Sequence, residues 1–224
     1  MKPADLKLLH GVQRRFEDTY DIPQQLDIAD YLITNRAQAQ ALAGRNLSSS
    51  DEHLLIDQSH DALALSLFID APTLQRVHSR NTDNSLQAAT LADWCTILEG
   101  MSHLLYSAFN ALRDRSFSAL ELELQAEVDK FTMLVIDRLR HDSSSQVARC
   151  HRQLFVNVRF AEQAETGILE RYQTANHLAA RYCKSLHKRF LENGNFQQWF
   201  NELREFYRRS QGQKLRRIAE LNPY

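Results

Sequence analysis

From Ser85 to about His141 the chain runs without a proline and with a single glycine, Gly100, while its apolar residues recur at helical spacing. Few alternatives to a pair of long helices accommodate such a stretch. Trp94, Ile97, Leu98, Met101, Leu105, Ala108 and Leu112 fall within a stripe about 100° wide on a helical wheel. A break is expected near Asp114–Ser118. Ser116 or Ser118 can cap the next helix, and Ser118 with Glu121 fits the S-x-x-E capping box. In that second helix Leu120, Leu124, Val128, Phe131, Val135 and Leu139 form the core face, while Leu122 and Met133 sit roughly opposite. A helix apolar on two sides belongs at the centre of a bundle or has a partner on its second side.

The flanks extend the helical reading. Residues 3–19 place Leu6, Leu9, Val12, Phe16 and Tyr20 near one face, with Pro23 ending the helix. Tyr31–Thr34 is a short strand candidate, and Asn35 can cap a helix over 36–43 that stops at Gly44. The run 46–52 reads as a loop. Residues 53–58 and 62–69 then switch to strand spacing, with Leu63, Leu65, Leu67 and Ile69 alternating with Ala62, Ala64, Ser66 and Phe68. Separated by Ser59-His60-Asp61, they make a β-hairpin. Past the loop His141–Ser145, helices are expected over 146–160 and 166–192, ending at Asn193-Gly194. A last helix starts near Asn195, with Phe196, Trp199, Phe200, Leu203, Phe206 and Tyr207 on one side, and Gly212 interrupts it.

The fold class expected is therefore α+β but predominantly α-helical: a small N-terminal module (1–80) with the hairpin 53–69, then a bundle of about five helices (85–224). The two can be parts of one continuous domain. At 224 residues, 43% hydrophobic and 25% charged, the chain has enough apolar material for a sizeable core. Its 6 Gly and 4 Pro argue against a turn-rich all-β protein. The N-terminus has no continuous apolar run of the signal-peptide kind, and no stretch approaches the length of a membrane span. Cys95, Cys150 and Cys183, odd in number and far apart, point to reduced thiols and a cytoplasmic location.

Four groups of side chains carry candidate chemistry. Glu99, His103, Tyr106 and Asn110 form a polar stripe opposite the apolar stripe of their helix; E-x3-H can supply two metal ligands or a carboxylate-oriented histidine base. A polar stripe opposite the core is ordinarily a solvated face, and that is the favoured reading, because one helix supplies two ligands at most. Glu121, Glu123 and Glu127 follow on the next helix, and Glu121 and Glu127 border its core face. Buried there they need partners, and an intramolecular ion pair is the favoured fate over a metal site. Glu99, His103, Glu121 and Glu127 thus make up the metal candidates, with no metal favoured and no cofactor expected. Cys183/His187 and Cys150-His151 lack second pairs to complete a zinc site, so both thiols read as structural.

The fourth group is basic. Residues 151–224 hold 13 Lys+Arg against 7 Asp+Glu, a net of +6, which leaves 14 against 21, a net of −7, for the first 150. Arg181, Lys184, Lys188, Arg204, Arg208, Arg209, Arg216 and Arg217 are candidates for contact with a protein partner, a second copy or nucleic-acid phosphates. Fingerprints for dinucleotide binding, P-loop nucleotide binding, serine hydrolysis and zinc peptidases are missing. The function expected is that of a non-enzymatic intracellular interaction protein, an adaptor or a subunit of a larger assembly. The alternatives are a metal-dependent helical enzyme or a nucleic-acid-binding protein.

Overall fold

The computed structural model describes residues 3–221 except 25, 45–46, 59–62, 81–87, 140–144 and 158–165. The expected hairpin turn at Ser59–Asp61 and most of the loop His141–Ser145 lie outside the described residues. The fold is α+β and mostly helical, with ten α-helices and one three-stranded sheet among the described residues. It divides into two compact units: residues 1–18 with 22–115, and residues 19–21 with 116–224.

The first unit opens with helix α1 (Pro3–Tyr20), whose Leu9, Val12 and Phe16 are buried and whose last two residues, 19 and 20, belong to the second unit. Its terminator is Asp21, which sits in the left-handed region (φ 51°) while the Ile22 amide donates to the Glu17 carbonyl. The left-handed step that ends many helices thus comes before Pro23. Gln13 holds the chain that follows: its side-chain amide donates to the Leu26 carbonyl and its carbonyl accepts from the Ile28 amide. A one-turn helix α2 (Ile28–Tyr31) starts at Asp27, whose carboxylate accepts from the Ala29 amide. That bond, with His10 2.6 Å away, holds the Asp27 carboxyl below its usual range.

Strand β1 (Leu32–Ile33) leads into α3 (Arg36–Ala43), with Asn35 as cap and Gly44 at φ 61° as stop, as its sequence predicts. The hairpin β2 (Glu52–Gln58) and β3 (Leu63–Ile69) pairs antiparallel, Glu52 opposite Ile69 and Leu55 opposite Ser66, and β1 adds in parallel to give the order β1-β3-β2. One face of the sheet carries Phe68 and Ile33, packed with Ala39 of α3 and the half-buried Leu47 and Leu55. Helices α4 (Ala71–Arg80) and α5 (Ala88–Ala111) complete the unit, with Arg76 of α4 clamping Asp93 of α5 through two nitrogens.

Helix α5 lies against β2 and β3. Gly100 makes the approach possible: a Cβ there would come within 2.8 Å of Glu52 Cγ and 3.0 Å of Leu67 Cδ1. The helix on which the bundle was expected to begin is in this way part of the sheet-bearing unit, and the units divide between Arg115 and Ser116.

The second unit is helical: α6 (Ala119–Leu139), α7 (Ser145–Phe155), α8 (Thr166–Leu186) continued by a π-helical turn (His187–Leu191), α9 (Phe196–Arg208) and α10 (Gln211–Leu221). Ser118 caps α6, its hydroxyl accepting from the Glu121 amide. Helix α6 packs on α7 and α8 and is buried almost all round, including Met133 on its second apolar side. The last break falls at Arg209–Ser210 rather than at Gly212, because the Gln213 side chain accepts from the Ser210 amide and starts α10 there. Gly212 is inside that helix. None of the described helices is long and apolar enough to cross a membrane.

Candidate functional site

In the first unit the polar stripe of α5 is not a solvated face. His103, Tyr106 and Asn110 are all buried and Glu99 is half-buried. The Gly100 side of the helix, which includes this part of the stripe, is turned to the sheet, where Glu52 begins β2. His103 Nδ1 and Glu52 Oε1 are 3.3 Å apart, both side chains at most a tenth exposed. A carboxylate oxygen of Glu99 and a ring nitrogen of His103 lie within 4.8 Å of each other. Glu52 is the member the sequence hides, because it is 51 residues from His103 and falls in the run 46–52 that reads as a loop, whereas it is the first residue of β2. Such an arrangement can fix one imidazole tautomer, or offer carboxylate and imidazole ligands to a cation. Further along, Asn110 donates to the Tyr106 carbonyl, and Arg115 donates to the Tyr106 hydroxyl at 3.0 Å.

In the second unit the acids of α6 are distributed among different partners. Glu121 accepts from the Gln211 amide at 3.0 Å, placing a carboxylate at the N-terminus of α10, where the helix dipole favours it. Glu123 lies 3.8 Å from Arg171 of α8. Glu127 pairs with Lys130 at 2.8 Å and accepts from Asn176 at 3.3 Å. One turn beyond Gln125, Asp129 is fully buried and accepts from both the Gln125 side-chain amide (2.7 Å) and the Tyr20 hydroxyl.

Lys214, 0% exposed, donates to Gln125 at 2.5 Å, with its ammonium 5.1 Å from the centre of the Phe206 ring. The chain Lys214–Gln125–Asp129–Tyr20 therefore links a buried cation to a buried anion through one amide. Without such links each ion would cost several kcal/mol to bury. Burial first, and the Asp129 charge second, push the Tyr20 phenol well above its ordinary value, so it stays a neutral donor.

A second buried acid, Glu202 of α9, is gripped by Arg217 of α10 at 2.9 and 2.5 Å and accepts from the Tyr182 hydroxyl at 3.2 Å. The hydrogen bonds to Glu202 raise the Arg217 guanidinium above its usual value, and burial raises the Tyr182 phenol. Tyr182 stacks on Phe206 and Tyr20 on Tyr207; with Trp199 and Leu203 these make the stripe of α9 core, except at its start, where Phe196 is exposed.

The basic candidates separate into two sets. Arg204 donates to the Thr19 carbonyl, and Arg208 to the carbonyls of Tyr20 and Asp21; these three acceptors belong to the same unit. Arg209 pairs with Glu205 and Arg217 with Glu202 and Glu220. Lys184, Lys188 and Arg216 are exposed, and Arg181 is half-buried. The thiols of Cys150 and Cys183 are buried and outside any disulfide. Burial raises both, and Glu127 and Asp129 raise Cys183 further, which is the environment of an inert thiol.

One further surface belongs to the first unit. Among the described residues β2 stands at the edge of the sheet, and only one of its sides is paired. The Asp70 amide donates to the Asp51 carbonyl, which sets the phase of the ladder: 51, 53, 55 and 57 turn their peptide groups to β3. The peptide groups of Glu52, Leu54, Ile56 and Gln58 point outward. Ile56 is 49% exposed, and no proline, lysine or bulge blunts this edge.

No protein-family model, curated protein or solved structure matches the chain.

Proposed function

We propose that the chain is a non-enzymatic interaction protein of the cytoplasm, an adaptor or a subunit of a larger assembly, and that the outer edge of β2 is part of its contact surface. The observation that carries this reading is that edge, open among the described residues: seven residues long, apolar at Leu54, Leu55 and Ile56, with the outward peptide groups of Leu54 and Ile56 available to another strand, while the Glu52 amide donates to the Ser50 hydroxyl at 3.4 Å. The acids of the second unit support it, since Glu121, Glu127, Asp129 and Glu202 are engaged by neighbours of their own unit. Three thiols outside any disulfide suit a reducing compartment.

The test is light scattering of the purified protein together with capture from its own cytosol, each repeated with Ile56→Lys. Association that Ile56→Lys abolishes is the expected result. A strict monomer that retains no partner sinks the reading.

Glu99 and His103, one turn apart on α5 with ligand atoms within 4.8 Å of each other, favour a second reading, a metal centre within the first unit. It predicts stoichiometric metal in protein purified without chelator, and a thermal shift with Fe, Mn or Zn that Glu99→Gln removes. Elemental analysis finding no metal, with no such shift, eliminates it.

A further inference from the structure

We infer that the occupant of the β2 edge is a second copy of the same edge, paired antiparallel about a twofold axis at Leu55 so that two three-stranded sheets become one of six strands. The inference rests on the interaction reading above and narrows it to one partner and one register. It starts from the phase of the β2–β3 ladder. Only Glu52, Leu54, Ile56 and Gln58 present outward peptide groups, so a second strand must bring its own outward residues opposite these. An antiparallel copy does so when Leu54 faces the partner's Ile56 and Glu52 the partner's Gln58. All four outward residues of each copy then lie in hydrogen-bonded pairs, the Glu52 amide exchanging its long 3.4 Å bond to the Ser50 hydroxyl for one to the partner strand. His53 and Leu55 fall in the non-hydrogen-bonded pairs, where opposed side chains come closest.

The side chains fit this register. His53 faces the partner's Asp57 on one side of the axis, and Asp57 faces the partner's His53 on the other. Between them Leu55 meets its own copy. On the opposite face Leu54 and Ile56 meet twice, covering the exposed Ile56. Like charges are nowhere directly opposite. Shifting by two in one direction sets Asp57 against the partner's Asp51, a repulsive pair. The shift in the other direction sets Leu55 against Asp57 and gives up one hydrogen-bonded pair at the strand end. Charge and apolar complementarity therefore select a second copy, in a single register, from the occupants that the open edge could take.

Analytical ultracentrifugation of the full chain tests this, with circular dichroism to verify folding. Ile56→Pro removes an outward N–H at a position where an edge strand tolerates proline, and Ile56→Lys places a charge on the same spot without touching the backbone. Each is expected to raise the dimer dissociation constant at least tenfold while the fold is retained. The register is tested by charge exchange. His53→Asp alone sets two carboxylates against each other in both of its pairs, and Asp57→Lys alone sets an ammonium against His53, so each should be monomeric. Mixed together, these two variants set a carboxylate against an ammonium at one position and restore the native pairing of His53 with Asp57 at the other, and should form a heterodimer.

A wild-type chain that is monomeric at every soluble concentration overturns the inference, as does a dimer that survives both Ile56 variants. The mixing result is decisive for the register: failure of the two charge variants to associate when combined rejects it. If the chain is monomeric yet captures another protein in an Ile56-dependent way, self-pairing falls and the interaction reading stands. If it captures nothing, both fall.

Discussion

Replacing Gly100 by alanine sets two effects of known sign against each other. Alanine in a helix interior is favoured over glycine by about 1 kcal/mol, through the entropy the glycine backbone loses on folding. Against this, the new Cβ would lie 2.8 Å from Glu52 Cγ and 3.0 Å from Leu67 Cδ1. Carbon atoms rest at about 3.5–4.0 Å, so each neighbour must retreat by roughly half an ångström to one ångström. Neither is placed to do so. Leu67 is fully buried in the central strand, and Glu52 Cγ belongs to a side chain whose carboxylate sits 3.3 Å from His103. Overpacking of this kind costs about 1–3 kcal/mol. The net expectation is a loss of about 1 kcal/mol.

Gly11 of α1 provides the control: it is exposed, and a Cβ there meets nothing within 4 Å. Gly11→Ala should gain about 0.5–1 kcal/mol, so the two variants should lie about 2 kcal/mol apart. That corresponds to roughly 4–8 °C in melting temperature for a chain of this size. Urea denaturation and thermal melts followed by circular dichroism read the difference. In a Glu52→Ala background the Cγ contact is gone while Leu67 remains, and the cost of Gly100→Ala should shrink. If Gly100→Ala melts at or above the wild type, or moves with Gly11→Ala, then α5 does not approach the sheet as closely as described, and the geometry offered for Glu52 and His103 fails with it.

Three other outcomes follow from the buried polar groups. Arg217→Met leaves Glu202 buried without its cation and should cost about 3 kcal/mol in urea denaturation; a loss under about 1 kcal/mol would class the pair with ordinary surface ion pairs. Cys183 should resist maleimide in the native protein at neutral pH, labelling only as fast as the chain unfolds, and mass spectrometry showing it modified as readily as a thiol in denaturant would contradict its burial and raised thiol. Burial lowers the His187 imidazole below its ordinary 6.5, so the unfolded chain takes up a proton that the folded one resists. Stability should then fall as pH drops below 6.5 toward the folded value and be indifferent to this group above 6.5. His187→Gln should accordingly lose less melting temperature than the wild type between about pH 7 and pH 5, and parallel profiles would refute this.

Local signals were readable wherever a few adjacent residues decide the outcome. Asn35 and Gly44 bracket α3, Ser118 caps α6, and the alternation in Leu63–Ile69 marks β3, because each depends on hydrogen bonds or side-chain directions within one element. The second apolar side of α6, with Met133, correctly placed that helix among neighbours on several sides. Where the wheel misled was α5. Its polar stripe faces away from its apolar stripe, and a wheel has only two sides to offer, core and solvent. It has no means of showing that Gly100 lets a strand approach on the polar side and that the strand brings Glu52 to His103.

The same limit governs the charged groups of the second unit. That Glu121 and Glu127 border the core face of α6 and need partners is legible on the wheel, and Lys130 stands one turn from Glu127, but the other partners come from far along the chain: the Gln211 amide for Glu121, Asn176 for Glu127. Lys214 looks from sequence like one more solvated cation in a basic tail, and only the approach of α10 to Gln125 makes it a core residue. Arg204 and Arg208 were read as surface available to a partner, yet both are bound to the carbonyls of Thr19–Asp21, where the left-handed Asp21 leaves oxygens that α1 itself does not satisfy. Charge segregation along the sequence therefore measured in part the wiring of the fold. Lys184, Lys188 and Arg216 are what the fold leaves exposed of that basic set, and among the described residues the outer edge of β2 is where backbone groups are left open; the interaction proposed above is placed on that edge.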